Sequence, residues 1–172
     1  MTTRRLVLLR HSKAAAGRTD IDRPLAPRGE GDAAAVGQWL VAHGVIPDRV
    51  VVSPALRAEQ TWEVAAKASG ATPAVVSEGR IYDNTVTDLL EVIQETGPEV
   101  RTLVLVGHNP SMGELAARLD DGSGKASHRE ALLEGYPTSG VAIFEVSTDW
   151  PQVDVGTARV RSVAAPRGGR SA

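Results

Sequence analysis

The sequence contains no cysteine, which excludes disulfide bonds, thiolate metal sites and cysteine nucleophiles together. It also lacks a strong charge of either sign: 19 lysines and arginines stand against 21 aspartates and glutamates, a formal net charge of −2 at pH 7. Such a chain has no overall field that would recruit nucleic acid or an anionic membrane, so we expect neither as a partner. Any positively charged site must be a local feature of a mildly acidic protein.

Long hydrophobic runs are missing as well. Residues 1–5 lead into only about five apolar residues before Arg10, too few for the core of a signal peptide or for a membrane span, so we predict a cytoplasmic protein. With 172 residues, 42% of them hydrophobic, the chain can bury one good core, and we predict a single domain over residues 1–165. Residues 166–172 combine glycine, proline and arginine without apolar periodicity, which predicts a flexible C-terminal tail.

Three short apolar runs end abruptly in polar residues. They cover residues 6–9, 50–52 and 103–106, and the second predicts a strand over residues 49–52. Runs of this length are typical of central strands of a parallel sheet, where both faces are covered. Ligands of open α/β sheets bind beyond the carboxyl ends of such strands, so the side chains that follow the runs should meet at one edge. Four of them can carry chemistry: Arg10, His11, Arg57 and His108.

Strand and helix patterns alternate along the chain. Helical spacing of apolar residues predicts helices over residues 29–43 and 87–96. Further strands are predicted at residues 74–77, 141–146 and 158–163. The last of these is polar enough for an edge of the sheet. This alternation implies a fold of α/β layers.

Two sequence signals predict where further helices begin. Ser53 suits an N-cap and Pro54 the first helical position, which would place Arg57 about one turn into a helix. The amide end of that helix would face the carboxyl edge of the sheet, a geometry that favours an anion. Ser111 and Glu114 match a capping box, so another helix should begin just past the third run.

Two segments show no regular pattern. Residues 12–29 are long, polar and broken by prolines, and loops of this length are usually functional. Asp20 lies in this loop, where an ion pair with Arg23 or a turn cap is as consistent with the sequence as catalysis. Residues 120–135 are rich in glycine and charge and predict a variable surface segment, in which we assign no role to His128.

The ordered polar segments resemble the histidine phosphatase superfamily, whose hallmark is Arg-His-Gly after the first strand, and within it the short SixA-like branch of phosphohistidine phosphatases. The matching segments are Leu8-Leu9-Arg10-His11-Ser12-Lys13-Ala14, Asp22-Arg23-Pro24-Leu25 with Arg28-Gly29, Ser53-Pro54-Ala55-Leu56-Arg57-Ala58-Glu59-Gln60-Thr61, Gly107-His108-Asn109-Pro110 and Pro137-Thr138-Ser139. Ser12 stands where the superfamily usually has glycine. The resemblance implies a three-layer α/β/α fold with a mostly parallel central sheet, like that of phosphoglycerate mutase.

The resemblance also implies roles for the four strand-end residues. The guanidinium forks of Arg10 and Arg57 match the arrangement of phosphoryl oxygens. A neutral imidazole can attack phosphorus in line, so His11 is the expected nucleophile and a phosphohistidine the expected intermediate. In the superfamily the histidine that matches His108 donates to the phosphoryl oxygens. The other ring nitrogen of His11 should donate to a backbone carbonyl within residues 12–14.

The general acid is less well defined by the sequence. Related mutases and many phosphatases use a glutamate after the third strand, but residues 82–85 contain none, and Tyr82 and Asn84 are expected only to rim the pocket. The resemblance to the SixA-like branch points instead to Asp20. No group of residues has metal-ligand spacing, so we expect no metal and no cofactor.

The expected reaction is metal-independent removal of phosphate from phosphohistidine on a protein, through phospho-His11. One alternative is a small-molecule phosphatase acting on sugar phosphates or nucleotides. The short chain leaves little room for insertions that build a dedicated small-substrate pocket, which favours a shallow site open to a protein. A second alternative is a non-catalytic module that binds phosphate or a phosphoprotein, although binding alone would not need the nucleophile.

Overall fold

The computed structural model describes residues 3–169, which form one six-stranded sheet flanked by helices. The strands are β1 (Arg4–Arg10), β2 (Arg49–Val52), β3 (Ala74–Ser77), β4 (Thr102–Gly107), β5 (Val141–Val146) and β6 (Ala158–Ala164). The α-helices are α1 (Pro27–Ala42), α2 (Leu56–Ser69), α3 (Val86–Gln94), α4 (Ser111–Leu119) and α5 (Ala126–Leu133). Short 3-10 helices lie at Asp20–Asp22, Gly79–Ile81 and Trp150–Gln152.

The strand order is β3-β2-β4-β1-β5-β6. β1 to β4 form a parallel set, whereas β5 pairs antiparallel with β1 and β6 antiparallel with β5. Helices cover both faces of this sheet. The predicted three-layer α/β/α fold with a mostly parallel sheet is therefore confirmed, as is the edge position of the last strand.

β1 lies at the centre of the fold because both of its faces are covered. Leu6 and Leu8 pack into a cluster with α3, α4 and α5, whereas Val7 and Leu9 pack with α1 and α2. Successive side chains of a strand point to opposite faces, so a continuous apolar run requires a core on each side. All four side chains are fully buried, and burying each contributes about 1.5–3 kcal/mol. The carboxyl end of β1 is thus held firmly by the core.

The predicted start of the helix after β2 is wrong. α2 begins at Leu56, with Ala55 rather than Ser53 as the N-cap. The hydroxyl of Ser53 accepts from the Ala55 amide at 3.2 Å in the turn before the helix, and it also lies 2.7 Å from Nε2 of His108. Arg57 is consequently the second residue of α2, in its first turn.

The capping box predicted for α4 is also wrong. The helix does begin at Ser111, but its N-cap is Pro110 and no side-chain hydrogen bond caps it. The Ser111 hydroxyl donates to Oδ1 of Asn84, in the segment before α3, instead of pairing with Glu114.

The segment 120–135 contains α5, which the sequence pattern does not reveal. Leu132 is the one residue of this helix that is buried, so the apolar periodicity is too weak to predict it. The predicted helices 29–43 and 87–96 are confirmed as α1 and α3 with small shifts at their ends. α1 starts two residues earlier than predicted, at Pro27, because proline is favourable in the first helical turn.

The first residues of the predicted C-terminal tail contact α1. The Gly168 amide donates to Oδ1 of Asp32 at 2.9 Å, and Nη1 of Arg167 donates to the Thr138 carbonyl at 3.0 Å. The rest of the predicted tail, residues 170–172, lies outside the described residues, so its flexibility stays a prediction. Within residues 3–169, no helix has the length and apolar character needed to cross a membrane.

Candidate active site

The carboxyl ends of β1, β2 and β4 bring the predicted strand-end residues together. β1 and β4 are paired so that Arg10 lies opposite Gly107, the last residues of the two strands. The next residues, His11 and His108, are therefore neighbours, and their ring centroids lie 5.1 Å apart. The His11 amide also donates to the Gly107 carbonyl at 3.0 Å, which continues the pairing beyond the strands. Parallel pairing thus fixes the spacing of the two imidazoles.

His11 is oriented by its own backbone neighbour. Its Nδ1 lies 2.7 Å from the Ser12 carbonyl, so Nδ1–H donates there and Nε2 is the nitrogen left to react. This contact confirms the predicted donation to a carbonyl within residues 12–14. Burial and the positive charges of Arg57 and Arg10 together lower the pKa of His11 to about 4, although the hydrogen bond to Ser12 raises it. The imidazole is therefore neutral at pH 7.

His108 is neutral for the same reason. Burial, followed by the proximity of His11 and Arg57, lowers its pKa to about 3. Its Nε2 lies 2.7 Å from the Ser53 hydroxyl oxygen. Its Nδ1 is buried and has no hydrogen-bond partner within the described part of the chain. Buried polar atoms are normally paired, so this nitrogen is available to a ligand.

Arg57 and Arg10 concentrate positive charge at the same edge. Arg57 is only 7% exposed, and its guanidinium donates to the carbonyl oxygen of Asp20 at 2.7 Å and to Oδ2 of the same residue at 3.1 Å. Nη1 of Arg10 donates to the Tyr136 carbonyl at 3.0 Å. Burial lowers the pKa of Arg10, and the nearby charge of Arg57 lowers it further. Two cations held this close favour an anionic ligand.

Asp20 also reaches this site. Its carboxylate accepts hydrogen bonds from the Tyr82 hydroxyl at 2.7 Å, from Arg57 at 3.1 Å and from Arg23 at 3.3 Å. The Tyr82 hydrogen bond, followed by that from Arg57, lowers the pKa of Asp20 to about 2. The predicted ion pair with Arg23 is therefore present, and Asp20 also contacts Arg57, while its use as an acid stays a prediction. In the free protein it is a carboxylate.

The ring of Tyr82 contacts the ring of His108. The two rings meet edge to face with centroids 5.7 Å apart. The sequence placed Tyr82 at the pocket rim, but its bond to Asp20 spans 62 residues and could not be read from local pattern. Asn84, the other expected rim residue, is bonded to Ser111.

Three side chains for which no role is predicted support the loop after β1. The Ser12 amide donates to the Thr61 hydroxyl at 2.9 Å, and that hydroxyl donates to the Arg57 carbonyl at 2.6 Å. The Ser12 hydroxyl lies 2.6 Å from the Ser139 hydroxyl. Ser139 has a φ of +62°, and its amide donates to the His11 carbonyl. The side chain that replaces the usual glycine is therefore buried and hydrogen-bonded. Thr61 and Ser139 both lie in the matching segments, the one signal that could have pointed to them.

The remaining histidines are used elsewhere. His43 is the C-cap of α1, and its ring packs on Trp39 with centroids 4.0 Å apart. His128 belongs to α5. Over residues 3–169, no three histidine, aspartate or glutamate side chains lie close enough together to hold a metal ion.

Comparisons with known proteins point to one family. The model of the histidine phosphatase superfamily (branch 1) matches residues 6–80. An uncharacterized protein of Mycobacterium tuberculosis (strain H37Rv) is 39% identical over 162 residues, covering 92% of this chain and all of that protein. Phosphohistidine phosphatase SixA of Escherichia coli K12 is 30% identical over 122 residues, 67% of this chain and 73% of that protein. The structure of a putative phosphohistidine phosphatase SixA from Nakamurella multipartitia superposes with a TM-score of 0.86 at 28% identity, covering 96% of this chain and 98% of the other.

Proposed function

The chain belongs to the histidine phosphatase superfamily, and within that family we propose that it removes phosphate from phosphohistidine on a protein, without a metal ion, through a phosphohistidine intermediate on His11. The observation that carries the proposal is the neutral His11 imidazole, whose Nδ1 is bonded to Ser12 while two arginines and His108 surround it. Phosphatase activity follows from the family. The choice of substrate and the use of His11 are the proposed steps.

The first step transfers the phosphoryl group to His11. The dianionic group binds to Arg10, Arg57 and His108, so Arg57 exchanges its bonds to Asp20 for bonds to phosphoryl oxygens. Nε2 of His11 attacks phosphorus, the bond to the leaving group breaks, and the leaving group departs with the electron pair of that bond. Positive charge that develops on the ring is stabilised by donation from Nδ1–H to the Ser12 carbonyl.

The second step hydrolyses phospho-His11 and regenerates the free enzyme. Water attacks phosphorus of phospho-His11, the phosphorus–nitrogen bond breaks, and inorganic phosphate leaves with His11 neutral again. The arginines stabilise the equatorial oxygens in both steps. Positioning and charge stabilisation therefore account for the catalysis, and no cation is needed.

The leaving group decides which substrates suit this site. An alkyl phosphate leaves as a strongly basic alkoxide and needs an acid, but Asp20 is ionised in the free protein, with a pKa of about 2. The imidazole of phosphohistidine has a free pKa of roughly 6.5 and can carry its own proton on the leaving nitrogen. Such a substrate partly replaces the missing acid. This favours phosphohistidine and activated aryl phosphates over sugar phosphates.

A small-molecule phosphatase is the second candidate, and the position of Asp20 favours it. When a phosphoryl dianion binds Arg57, Asp20 loses one of the hydrogen bonds that lower its pKa and gains a negative charge beside it, and both changes raise the pKa of the carboxyl. Asp20 could then protonate an alkoxide.

A side-by-side rate comparison tests the proposal. Phosphate release is measured from a phosphohistidine-bearing protein, from para-nitrophenyl phosphate and from a sugar phosphate, each with and without EDTA, and with His11→Ala as the blank. We expect the largest kcat/KM for phosphohistidine and no effect of the chelator. A larger kcat/KM for the sugar phosphate would favour the second candidate, and loss of activity in EDTA that Mg²⁺ restores would contradict the metal-free mechanism.

A further inference from the structure

Ser53 is a fully buried serine that contacts the ring of His108. It follows β2 directly, and its hydroxyl oxygen lies 2.7 Å from Nε2 of His108. The same oxygen accepts a hydrogen bond from the Ala55 amide at 3.2 Å. A serine hydroxyl has one proton to donate and two lone pairs to accept with. The bond from Ala55 uses one lone pair, which leaves the second lone pair and the hydroxyl proton to be paired.

Counting protons separates the two neutral forms of His108. If Nε2 carries the ring proton, it donates to Ser53, and the hydroxyl proton of Ser53 then has no acceptor within the described residues. In that form Nδ1 of His108 is a second buried, unpaired atom, and it is an acceptor. If Nδ1 carries the proton, Ser53 donates to Nε2 and accepts from Ala55, so only Nδ1–H is unpaired. The second form leaves fewer buried polar groups unsatisfied.

The two forms also differ in what they offer an anion. A bare Nδ1 would present a lone pair to phosphoryl oxygens and repel them, whereas Nδ1–H would donate to them. The ring already lies beside His11 and in the field of the two arginines, so the anion proposed above would sit next to it. The form that satisfies Ser53 is therefore also the one that can bind the substrate.

We propose that Ser53 is a positioning residue that holds His108 in the Nδ1–H tautomer, so that Nδ1–H becomes the hydrogen-bond donor to the phosphoryl group. The role of that donor rests on the proposed function, but the tautomer itself is a property of the free protein. Ser53 acts only through His108 and does not touch the substrate.

The tautomer can be measured directly. Long-range proton–nitrogen NMR correlations of protein labelled with ¹⁵N-histidine, recorded at pH 7, distinguish a protonated from an unprotonated ring nitrogen. The His108 signals are identified by their loss in His108→Asn. We expect Nδ1 to be protonated and Nε2 unprotonated. The reverse assignment in the wild-type protein would overturn the proposal, whatever the activity.

Variants at position 53 separate a positioning role from a merely structural one. In Ser53→Ala we expect the His108 preference for Nδ1–H to be lost. We also expect kcat/KM for an aryl phosphate to fall roughly 10-fold to 100-fold, the range found when a residue that orients a metal-binding histidine is removed. Ser53→Thr keeps the hydroxyl and should restore both readouts. Ser111→Ala is the matched control, because the Ser111 hydroxyl contacts the backbone carbonyl of His108 rather than the ring.

The outcomes distinguish this inference from the proposed function. An unchanged Nδ1–H tautomer in Ser53→Ala would show that Ser53 does not select it and would overturn the inference. Nδ1–H in a wild-type protein that releases no phosphate would support the tautomer assignment while contradicting the proposed function.

Discussion

The chemical state of each site residue is set by its immediate neighbours. Burial beside arginines lowers the pKa of His11 and His108, and hydrogen bonds from Tyr82 and Arg57 lower the pKa of Asp20. The site thus combines neutral imidazoles with the fixed positive charge of two arginines. Substitutions at single residues should therefore change the reaction in different ways.

Arg57 is expected to act in both the ground state and the transition state. Arg57→Ala should raise KM and lower kcat, with kcat/KM falling about 100-fold or more, because a donor to the phosphoryl oxygens is lost. Arg57→Lys should recover only part of this, since a point charge cannot replace the two-pronged guanidinium. Steady-state kinetics on an aryl phosphate measure both effects, with Arg101→Lys, an exposed arginine before β4, as control. Full activity in Arg57→Lys would show that charge alone suffices.

Asp20 can serve as an acid only after Arg57 turns to the substrate. Asp20→Asn should therefore lower kcat/KM for alkyl phosphates by about 10-fold or more and change it little for aryl phosphates, whose leaving groups need no proton. The measurement is the dependence of kcat/KM on leaving-group pKa. Asp22→Asn is the matched control, because Asp22 lies on the same 3-10 helix and its carboxylate pairs with Thr19. A dependence that is the same in wild type and Asp20→Asn would remove Asp20 as the acid.

The sequence predicts part of this site at residue level. Arg10, His11, Arg57 and His108 could be placed together because each follows an apolar run, and parallel strands end at one edge. The contacts of Ser53 and Tyr82 could not, because they depend on the path of loops rather than on periodicity. Ser53 keeps a local hydrogen bond from the Ala55 amide, but its second contact, with His108, is a tertiary one.

At the scale of elements, apolar patterns predict where strands and helices exist better than where helices begin. β2, β3 and β5 are found at the predicted bounds because polar residues, proline or glycine flank them. The start of a helix depends on which side chain accepts hydrogen bonds from the unpaired backbone amides of the first turn, and tertiary partners compete for those side chains. α5 was missed because a single buried leucine leaves little pattern to detect.

The start of α3 provides a test at this scale. The Asp88 carboxylate accepts from the Thr85 amide at 2.8 Å and from the Thr85 hydroxyl at 3.2 Å, so it closes the first turn of the helix that follows Tyr82. Asp88→Ala should lower the free energy of unfolding by about 1 kcal/mol, the usual value of such a cap. Urea denaturation measures this. Asp83→Ala, an exposed carboxylate just before the helix, should have little effect, and equal losses in both variants would contradict the capping role.

For the whole molecule, the two neutral histidines make stability depend on pH. In the unfolded chain both have a pKa near 6.5, whereas in the folded protein the pKa is about 4 for His11 and about 3 for His108. Below pH 6.5 the unfolded state therefore binds more protons than the folded state. The free energy of unfolding consequently decreases as the pH is lowered, until the pH is below the pKa values of the folded state. We expect urea midpoints to decrease steadily from pH 6.5 to pH 4.

Variants identify the histidines responsible for this pH dependence. His11→Asn combined with His108→Asn should flatten the pH dependence between pH 6.5 and pH 4, because the groups that resist protonation are gone. A slope that survives in the double variant would show that other groups control the acid stability.

The covalent intermediate on His11 is the central claim, and trapping it is the most direct test. Protein mixed with ³²P-labelled substrate and quenched within milliseconds in alkali should carry label that is stable to base and released by acid, and peptide mass spectrometry should place the phosphate on His11. His11→Ala should carry no label and lose turnover by about 10³-fold or more, while still binding vanadate through Arg10, Arg57 and His108. His128→Ala should behave like wild type. Acid-labile label on His11→Ala, or full turnover by that variant, would contradict the account.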